Sequence, residues 1–410
     1  MNVAFLVNDL QLSGGIGVVV THARELATRH GMDVTLVLAR EQEVPHWEYA
    51  ELDALHVISL AEARERRYDV AVGTFWVTVL SLYDIPADRY AFFVQSVEDR
   101  FYRPDDPERF GAAITTSLPL AFITEATWIR DTLAEVRPDA QCHLVRNGID
   151  KDVFAPPEAV EPNTDKPLRI LVEGYASSCF KGVNDAIAAT RAMTEPHELT
   201  VVAANRDGLD AKGATRVVGP IAQRELADLY AHTDVVLKLS RVEGMFGPPL
   251  EGFHKGATCV TTEVTGHEEY IRDGENALIC DWEDERGTAR LLDLLARDRE
   301  LLQRLRSNAL QTARDWPGWD QAGQGMAEAL KAISDAPAPD PYAHARRMVQ
   351  DVQTTLTAMR VQHHYVRMLE GQARKLNIIK RLPVVRQLVR VRHTRFGRML
   401  VAFAKRAPGR

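Results

Sequence analysis

Short runs of β-branched apolar residues alternate with helix-period segments through the first 150 or so positions. The runs are NVAFLV (2–7), DVTLVL (33–38), LHVISL (55–60), DVAVGT (69–74), YAFFVQ (90–95), AAITTS (112–117) and CHLVRNG (142–148). Between the first two lies GVVVTHARELATRHG (17–31), whose apolar positions recur at helical spacing and which stops on Gly31. Strands that alternate with helices predict βαβ units and a parallel sheet covered on both faces.

The pattern breaks at APPEAVEPNTDKP (155–167), which has four prolines and little apolar content and reads as a domain linker. It then restarts with LRILVEG, LTVVAA, TRVVG, DVVLKLS, TCVTTE and ALIC, again separated by helical segments. Two α/β sheets in tandem are expected, each the size of a doubly wound domain, with a crevice between them for a large ligand. APAPDP (336–341) is a second linker.

Beyond it, Ala345, Val349, Val352, Leu356, Met359, His363 and Val366 recur at alternating spacings of four and three. That stripe fits a helix docked on the body, and it also fits pairing with a second copy of the chain, a homodimer through 345–366. After Pro383, Val385, Leu388, Val389, Phe396, Met399, Leu400 and Phe403 share one helical face, interrupted by Arg392. Arg386, Arg390, Arg395, Arg398 and Lys405 lie off it. The pattern of 384–405 is that of a basic amphipathic helix on an anionic membrane surface; packing on the acidic body is the rival.

Composition sharpens this division. The formal net charge is −7, but residues 371–410 hold twelve Lys/Arg and no Asp/Glu, leaving 38 basic against 57 acidic residues elsewhere, a balance of −19. A basic tail on an acidic body, without an aromatic platform, does not suggest nucleic-acid binding. The cysteines Cys142, Cys179, Cys259 and Cys280 are scattered, with neither disulfide-framework nor metal-ligand spacing, as in a reduced cytosolic chain. MNVAFLVNDL lacks a basic n-region and reads as a first strand rather than a signal peptide. No apolar run reaches the ~18 residues a membrane span needs.

Three stretches suit an anionic ligand. SGGIG (13–17), with Gly14 and Gly15, joins a strand to a helix, where glycines admit a close ligand and helix N-terminal amides favour an anion. It is not the GxGxxG of dinucleotide enzymes, and no acidic residue ends the second strand to hold a ribose. EGYASSCFKGVNDAI (173–187) repeats the strand–turn–helix pattern and carries Gly174 and Lys181, a point charge suited to phosphate. In RVEGMFGPPLEG (241–252) a helix is predicted to begin near Gly247, with Pro248 or Pro249 in its first turn. Glu243 stands before the turn and Glu251 one turn into the helix, so both can accept hydroxyl hydrogen bonds from one ligand.

Taken together, SGG after the first strand, NGIDKDVF (147–154), KG (181–182), RVEGMFGPPLE (241–251) and TGHEEYIRDGENALI (265–279) resemble the retaining glycosyltransferases of family 4, over roughly residues 1–335. The resemblance implies the GT-B fold, two facing Rossmann-like domains with parallel sheets. It divides the chain into an N-terminal acceptor domain (1–160), a C-terminal nucleotide-sugar domain (165–335) and a helical extension with a basic amphipathic tail (342–410). Glu243 and Glu251 match the family's E-x7-E signature. By that match Glu243 bonds the donor sugar's hydroxyls and Glu251 the nucleotide ribose. Lys181 balances the diphosphate, assisted by Gly174 and by amides around Gly15 and at Phe246, Gly247 and Leu250. The family retains the anomeric configuration without a metal or other cofactor, and the departing phosphate takes the acceptor's proton. Asp150 and Asp152 form a D-x-D, read as structural within its element.

Some positions depart from the family. Tyr175 stands where an arginine commonly follows the glycine, and Arg241 is a candidate substitute. The turn reads Gly-Met-Phe-Gly instead of Gly-Phe-Gly. Gln95 replaces a histidine; with Glu98 and Tyr102 its segment resembles rhamnosyl and polysaccharide-assembly members, making Gln95 and Glu98 acceptor-side candidates. The expected protein is a cytoplasmic enzyme at the inner membrane face. It moves a sugar from a nucleotide diphosphate to a glycan or lipid-linked acceptor. A nucleotide-sugar epimerase or hydrolase, and a non-catalytic scaffold of the same fold, are the alternatives.

Overall fold

In the computed structural model, which describes residues 1–40, 49–164, 167–203, 205–337 and 342–381, the strand-rich halves become two separate parallel sheets. The basic amphipathic pattern of 384–405 lies outside the described residues. The first sheet is built from β1 (Asn2–Val7), β2 (Asp33–Leu38), β3 (His56–Ser59), β4 (Tyr68–Gly73), β5 (Ala87–Val94), β6 (Ala121–Thr124) and β7 (Cys142–Leu144), in the order 3-2-1-4-5-6-7. The second contains β8 (Leu168–Gly174), β9 (His197–Ala203), β10 (Arg216–Val218), β11 (Val235–Lys238), β12 (Thr258–Thr262) and β13 (Leu278–Cys280), in the order 10-9-8-11-12-13.

Burial explains these runs. Val3 to Val7 and Val235 to Leu237 have no exposed surface, because helices cover both faces of each sheet. In both halves the strand order reverses beside the central strand, after β1 and after β8. Loops at such a switch point splay apart and leave a ligand crevice at the carboxyl ends of the strands.

AAITTS, expected as a strand, is instead the end of the helix Pro107–Thr115. Its start is strongly specified: the Asp106 carboxylate accepts from the Glu108 amide at 3.0 Å and proline occupies the first turn. This cap outweighs the β preference of Ile114 and Thr115, and the sheet's sixth strand is the shorter Ala121–Thr124.

The helix Trp319–Asp335, which sequence spacing groups with the second domain, crosses back to the first sheet. Met326, Ala329, Leu330 and Ile333 join the core of Val3, Phe5 and Val72. The helix Tyr342–Arg381 covers the opposite face of that sheet. Ala345, Val349 and Leu356 of the heptad stripe are buried there among Trp76, Leu80 and Tyr83, so the first part of the stripe is used within the chain. Gly111 permits this contact, since a Cβ there would come within 2.5 Å of the Trp76 ring and 3.0 Å of Leu356. Among the described residues no helix is long and apolar enough to cross a membrane.

Candidate active site

The carboxyl ends of the two sheets meet across a narrow interface. Trp128 Nε1 donates to the Gly244 carbonyl at 2.9 Å, and Arg100 donates to Thr265 Oγ1 at 3.0 Å. Phe101 stacks on Phe180 with ring centroids 5.4 Å apart. Gly244 is required here: a Cβ would lie 1.9 Å from the Gln95 carbonyl oxygen.

The segment between β11 and the helix Gly247–His254 forms the floor of this crevice. The extra residue in its Gly-Met-Phe-Gly turn has a defined place. Met245 is buried, and its amide donates at 3.0 Å to Glu125 of the first domain. Phe246 then takes a left-handed conformation, φ 57°, as the helix N-cap residue. For a bulky residue that backbone costs ~1–3 kcal/mol and persists only where the surroundings enforce it. Here the Tyr270 hydroxyl donates to the Phe246 carbonyl while the ring is buried in the core. The first turn of Gly247–His254 is thereby fixed, and the amides of Gly247 and Leu250, on either side of Pro248 and Pro249, are its donors for an anion.

Lys181 enters from the turn after β8. Gly182, at φ 61°, starts the next helix against β11, where a Cβ would clash with the Leu239 carbonyl at 2.0 Å. This close packing sets the Lys181 ammonium 2.8 Å from Glu243 Oε2. Burial alone would raise the Glu243 carboxyl. The charges of Lys181 and Lys238, with the Lys181 hydrogen bond, outweigh burial and hold it below its ordinary value. Glu243 Oε1 is buried without a hydrogen-bond partner among the described residues, as expected of an acceptor aimed at a ligand.

Glu251, one turn into the helix, behaves oppositely. Burial and the neighbouring Glu173 carboxylate push its pKa well up, against the pull of Lys238 and a hydrogen bond with Tyr230. The single Tyr230 hydroxyl proton is donated to Glu173 Oε2 at 2.5 Å. Glu243 and Lys238, both buried, and the half-buried Glu251, Glu173 and Lys181 thus form one mixed-charge cluster at the end of the second sheet.

Of the other sequence candidates, Gly14 and Gly15 open the helix Gly14–Arg29, whose N-cap Ser13 accepts from the Ile16 amide at 3.2 Å. Gly15 sits against Gln95, with 3.2 Å from an added Cβ to the Gln95 side-chain oxygen, so these two belong together at the first domain's edge. Gly174 ends β8 at φ +148°. The Leu250 side chain is fully buried, which leaves its amide as the group that could meet a ligand. Glu98 faces away from the cluster. Its carboxylate accepts from the Trp76 amide at 2.7 Å beneath the first sheet, and burial pushes its pKa to about 8. Arg241 turns outward to Asp185 at 2.8 Å and Glu283 at 3.6 Å. Asp150 accepts from the amides of Asp152 and Val153, both at 3.0 Å, which makes its D-x-D a turn cap. Among the described residues no three His, Cys, Asp or Glu side chains are grouped as metal ligands.

Sequence reading missed Lys238, Glu173 and Glu125. A lysine inside the apolar run DVVLKLS was the available signal for the first. Glu125 gives none, since its partners Met245 and Asn147 are brought to it only by the fold; it accepts from Asn147 Nδ2 at 2.6 Å. Burial raises the Glu125 carboxyl to about 7.

Comparison with known proteins agrees with this geometry. Residues 197–312 match the family model described as glycosyl transferases group 1. Glycogen synthase of Mycobacterium tuberculosis is 27% identical over 205 residues, 47% of this chain and 49% of that protein. The lipopolysaccharide core biosynthesis glycosyltransferase LpsE of Rhizobium meliloti is 31% identical over 104 residues, 25% of this chain and 30% of LpsE. The chain therefore spans about half the length, or less, of these curated relatives. Over 81% of this chain and all of the other, the fold matches that of Anabaena Alr3699/HepE, solved with UDP and glucose, at a TM-score of 0.65 and 13% identity. The chain thus has the GT-B fold, and residues 197–312 of its second sheet and the helices around it carry the pattern of the group 1 glycosyl transferases.

Proposed function

We propose that the chain is a retaining, metal-independent glycosyltransferase that moves a sugar from a nucleoside-diphosphate sugar to a glycan or lipid-linked acceptor in cell-surface polysaccharide synthesis. The observation that carries this reading is the Lys181–Glu243 pair at 2.8 Å, directly before the turn whose helix bears Glu251. A carboxylate with a free buried oxygen suits sugar hydroxyls, and a cation beside fixed helix amides suits a diphosphate.

In the reaction the bond from the sugar's anomeric carbon to the β-phosphate oxygen breaks. A bond from that carbon to the acceptor oxygen forms on the same face, and the acceptor's proton passes to the leaving phosphate. Lys181 and the amides of Gly247 and Leu250, which flank two prolines without an N–H, stabilise the charge that develops on the diphosphate, which is the dominant contribution in such sites. Glu243 orients the sugar and Glu251 the ribose. The amides around Gly14 and Gly15 assist at the diphosphate, and Gln95 stands beside them on the acceptor side.

Two relatives support the substrate class. LpsE acts in lipopolysaccharide core biosynthesis, and HepE was solved with UDP and glucose. The basic amphipathic pattern of 384–405 supports action at the cytoplasmic face of an anionic membrane; liposome binding that survives deletion of this segment would exclude it.

The experiment is donor binding and hydrolysis across UDP-, GDP- and dTDP-sugars for the wild type, Glu243→Ala and Lys181→Ala. Selective binding and slow turnover of one donor, lost in both variants, is expected. A wild type that binds none of them overturns the reading in favour of a scaffold.

A further inference from the structure

Lys238 ends β11 at the crevice edge, and it is the charged residue of an otherwise apolar buried segment. It is 4% exposed, and its ammonium donates to the Glu173 carbonyl oxygen at 3.0 Å. Among the described residues no carboxylate lies within ion-pair distance of it. An ammonium has three donors, so two of them face no acceptor at bonding distance among the described residues. Burial lowers its pKa and Lys181 adds to the fall, while Glu243, Glu173 and Glu251 oppose it at longer range. A buried cation held by a neutral carbonyl alone, with no charged partner in contact, carries a free-energy cost that an arriving anion reduces.

The surroundings leave room for that anion. A Cβ on Gly174 would lie 3.1 Å from Val183 Cγ2, 3.6 Å from Lys238 Nζ and 3.8 Å from Lys181 Cβ, so any side chain there would press on Val183 and come up against both lysines, and glycine keeps that position clear. Tyr175 does not fill it, because its hydroxyl reaches across to the Leu12 carbonyl of the first domain. Arg241 is held outside by Asp185 and Glu283. Lys181 and Lys238 are therefore the cations that flank Gly174.

We infer that Lys238 binds the donor's diphosphate jointly with Lys181, on either side of Gly174, and so supplies the second positive charge of the site. The inference rests on the donor-site reading above. Glu243 keeps its sugar contacts, because Lys181 is released from it when the phosphates arrive.

The test compares binding of UDP, GDP and dTDP, and of the matching monophosphates, to the wild type, Lys238→Met and Lys238→Gln. Glutamine retains a donor for the Glu173 carbonyl and separates loss of charge from loss of packing. For the diphosphate the wild type prefers, both variants are expected to lose about tenfold to a hundredfold in affinity, the range of a charge-assisted hydrogen bond, with monophosphate affinity changed less than about threefold. Unchanged diphosphate affinity in Lys238→Gln overturns the inference while leaving the donor site intact. Equal loss of mono- and diphosphate also overturns it, by making Lys238 a purely structural residue. A wild type that binds no nucleotide overturns both the inference and the donor reading.

Discussion

Lys181 and Glu243 hold each other at 2.8 Å across 62 positions of sequence, and each is the other's charged partner at the centre of the site. On the proposed donor site, where the sugar takes the carboxylate and the diphosphate takes the ammonium, a donor has to part them. Glu243→Gln removes that competition. It is expected to tighten binding of the bare nucleoside diphosphate by about threefold to tenfold, as the ~0.5–1.5 kcal/mol of a partly exposed pair is no longer lost. Sugar transfer should fall by about 10²–10³, the usual effect of removing one oriented polar contact to the reacting group. Calorimetry with the diphosphate, beside turnover of the full donor, separates the two effects. Weaker diphosphate binding in this variant would contradict the mutual-restraint account.

Glu125 performs a related task between domains. Its two oxygens accept from the Met245 amide at 3.0 Å and from Asn147 Nδ2 at 2.6 Å. Glu125→Ala leaves both donors buried without an acceptor, at about 1–3 kcal/mol each. A fall in melting temperature of several degrees is expected, together with a raised donor KM, because the Gly244–Phe246 turn loses its anchor. Thermal unfolding combined with steady-state kinetics checks both.

These pairs mark the limit of what the chain displays before it folds. Residues 241–251 were legible because proline, glycine and two carboxylates at fixed spacing dictate a turn and a helix that present both acids to one side. The linker prolines separated the two sheets for a similar local reason. AAITTS misled because β preference was weighed without the Asp106–Pro107 cap that nucleates a helix ahead of it. Glu98 looked like a site residue beside Gln95, yet one residue's rotation around Val97 sends it to the Trp76 amide. Arg241 lies two positions before Glu243, but its partners Asp185 and Glu283 come from distant segments and draw it outward. Spacing along a chain fixes direction within one element; it does not fix which buried partner waits across a domain interface.

The buried Glu98 gives the protein a pH dependence of known sign. Burial raises its carboxyl from 4.5 to about 8, against the hydrogen bond from the Trp76 amide. Below 4.5 both folded and unfolded states hold this proton. Between 4.5 and about 8 the folded state keeps it while the unfolded state releases it, so stability falls with rising pH across that window. Glu98→Gln supplies a neutral acceptor to the same amide and removes the proton linkage. Its melting temperature should match the wild type near pH 4.5 and exceed it near pH 8, by an amount equivalent to ~2–4 kcal/mol. Unfolding scans across that range test the slope; parallel curves for the two proteins would refute it.

Glu251 should decide whether the sugar of the nucleotide is recognised as a ribose. The helix Gly247–His254 holds it one turn inside the crevice, where Glu173 and Tyr230 crowd it and burial keeps its pKa high. A carboxyl group in that position can hydrogen-bond a ribose hydroxyl in either protonation state, as acceptor or as donor. For the preferred base, the wild type is expected to bind the ribonucleoside diphosphate about tenfold more tightly than its 2′-deoxy counterpart, since the deoxy form leaves a buried acid unpaired. Glu251→Ala removes the acid, and the two affinities should then converge, with most of the change in the ribonucleotide. The convergence is the informative quantity, because a variant that merely loosened the helix would weaken both nucleotides and preserve their ratio. A preserved tenfold ratio in Glu251→Ala would move ribose recognition to another group, and Glu173, held by the Tyr230 hydroxyl at 2.5 Å, is the neighbour then to be replaced.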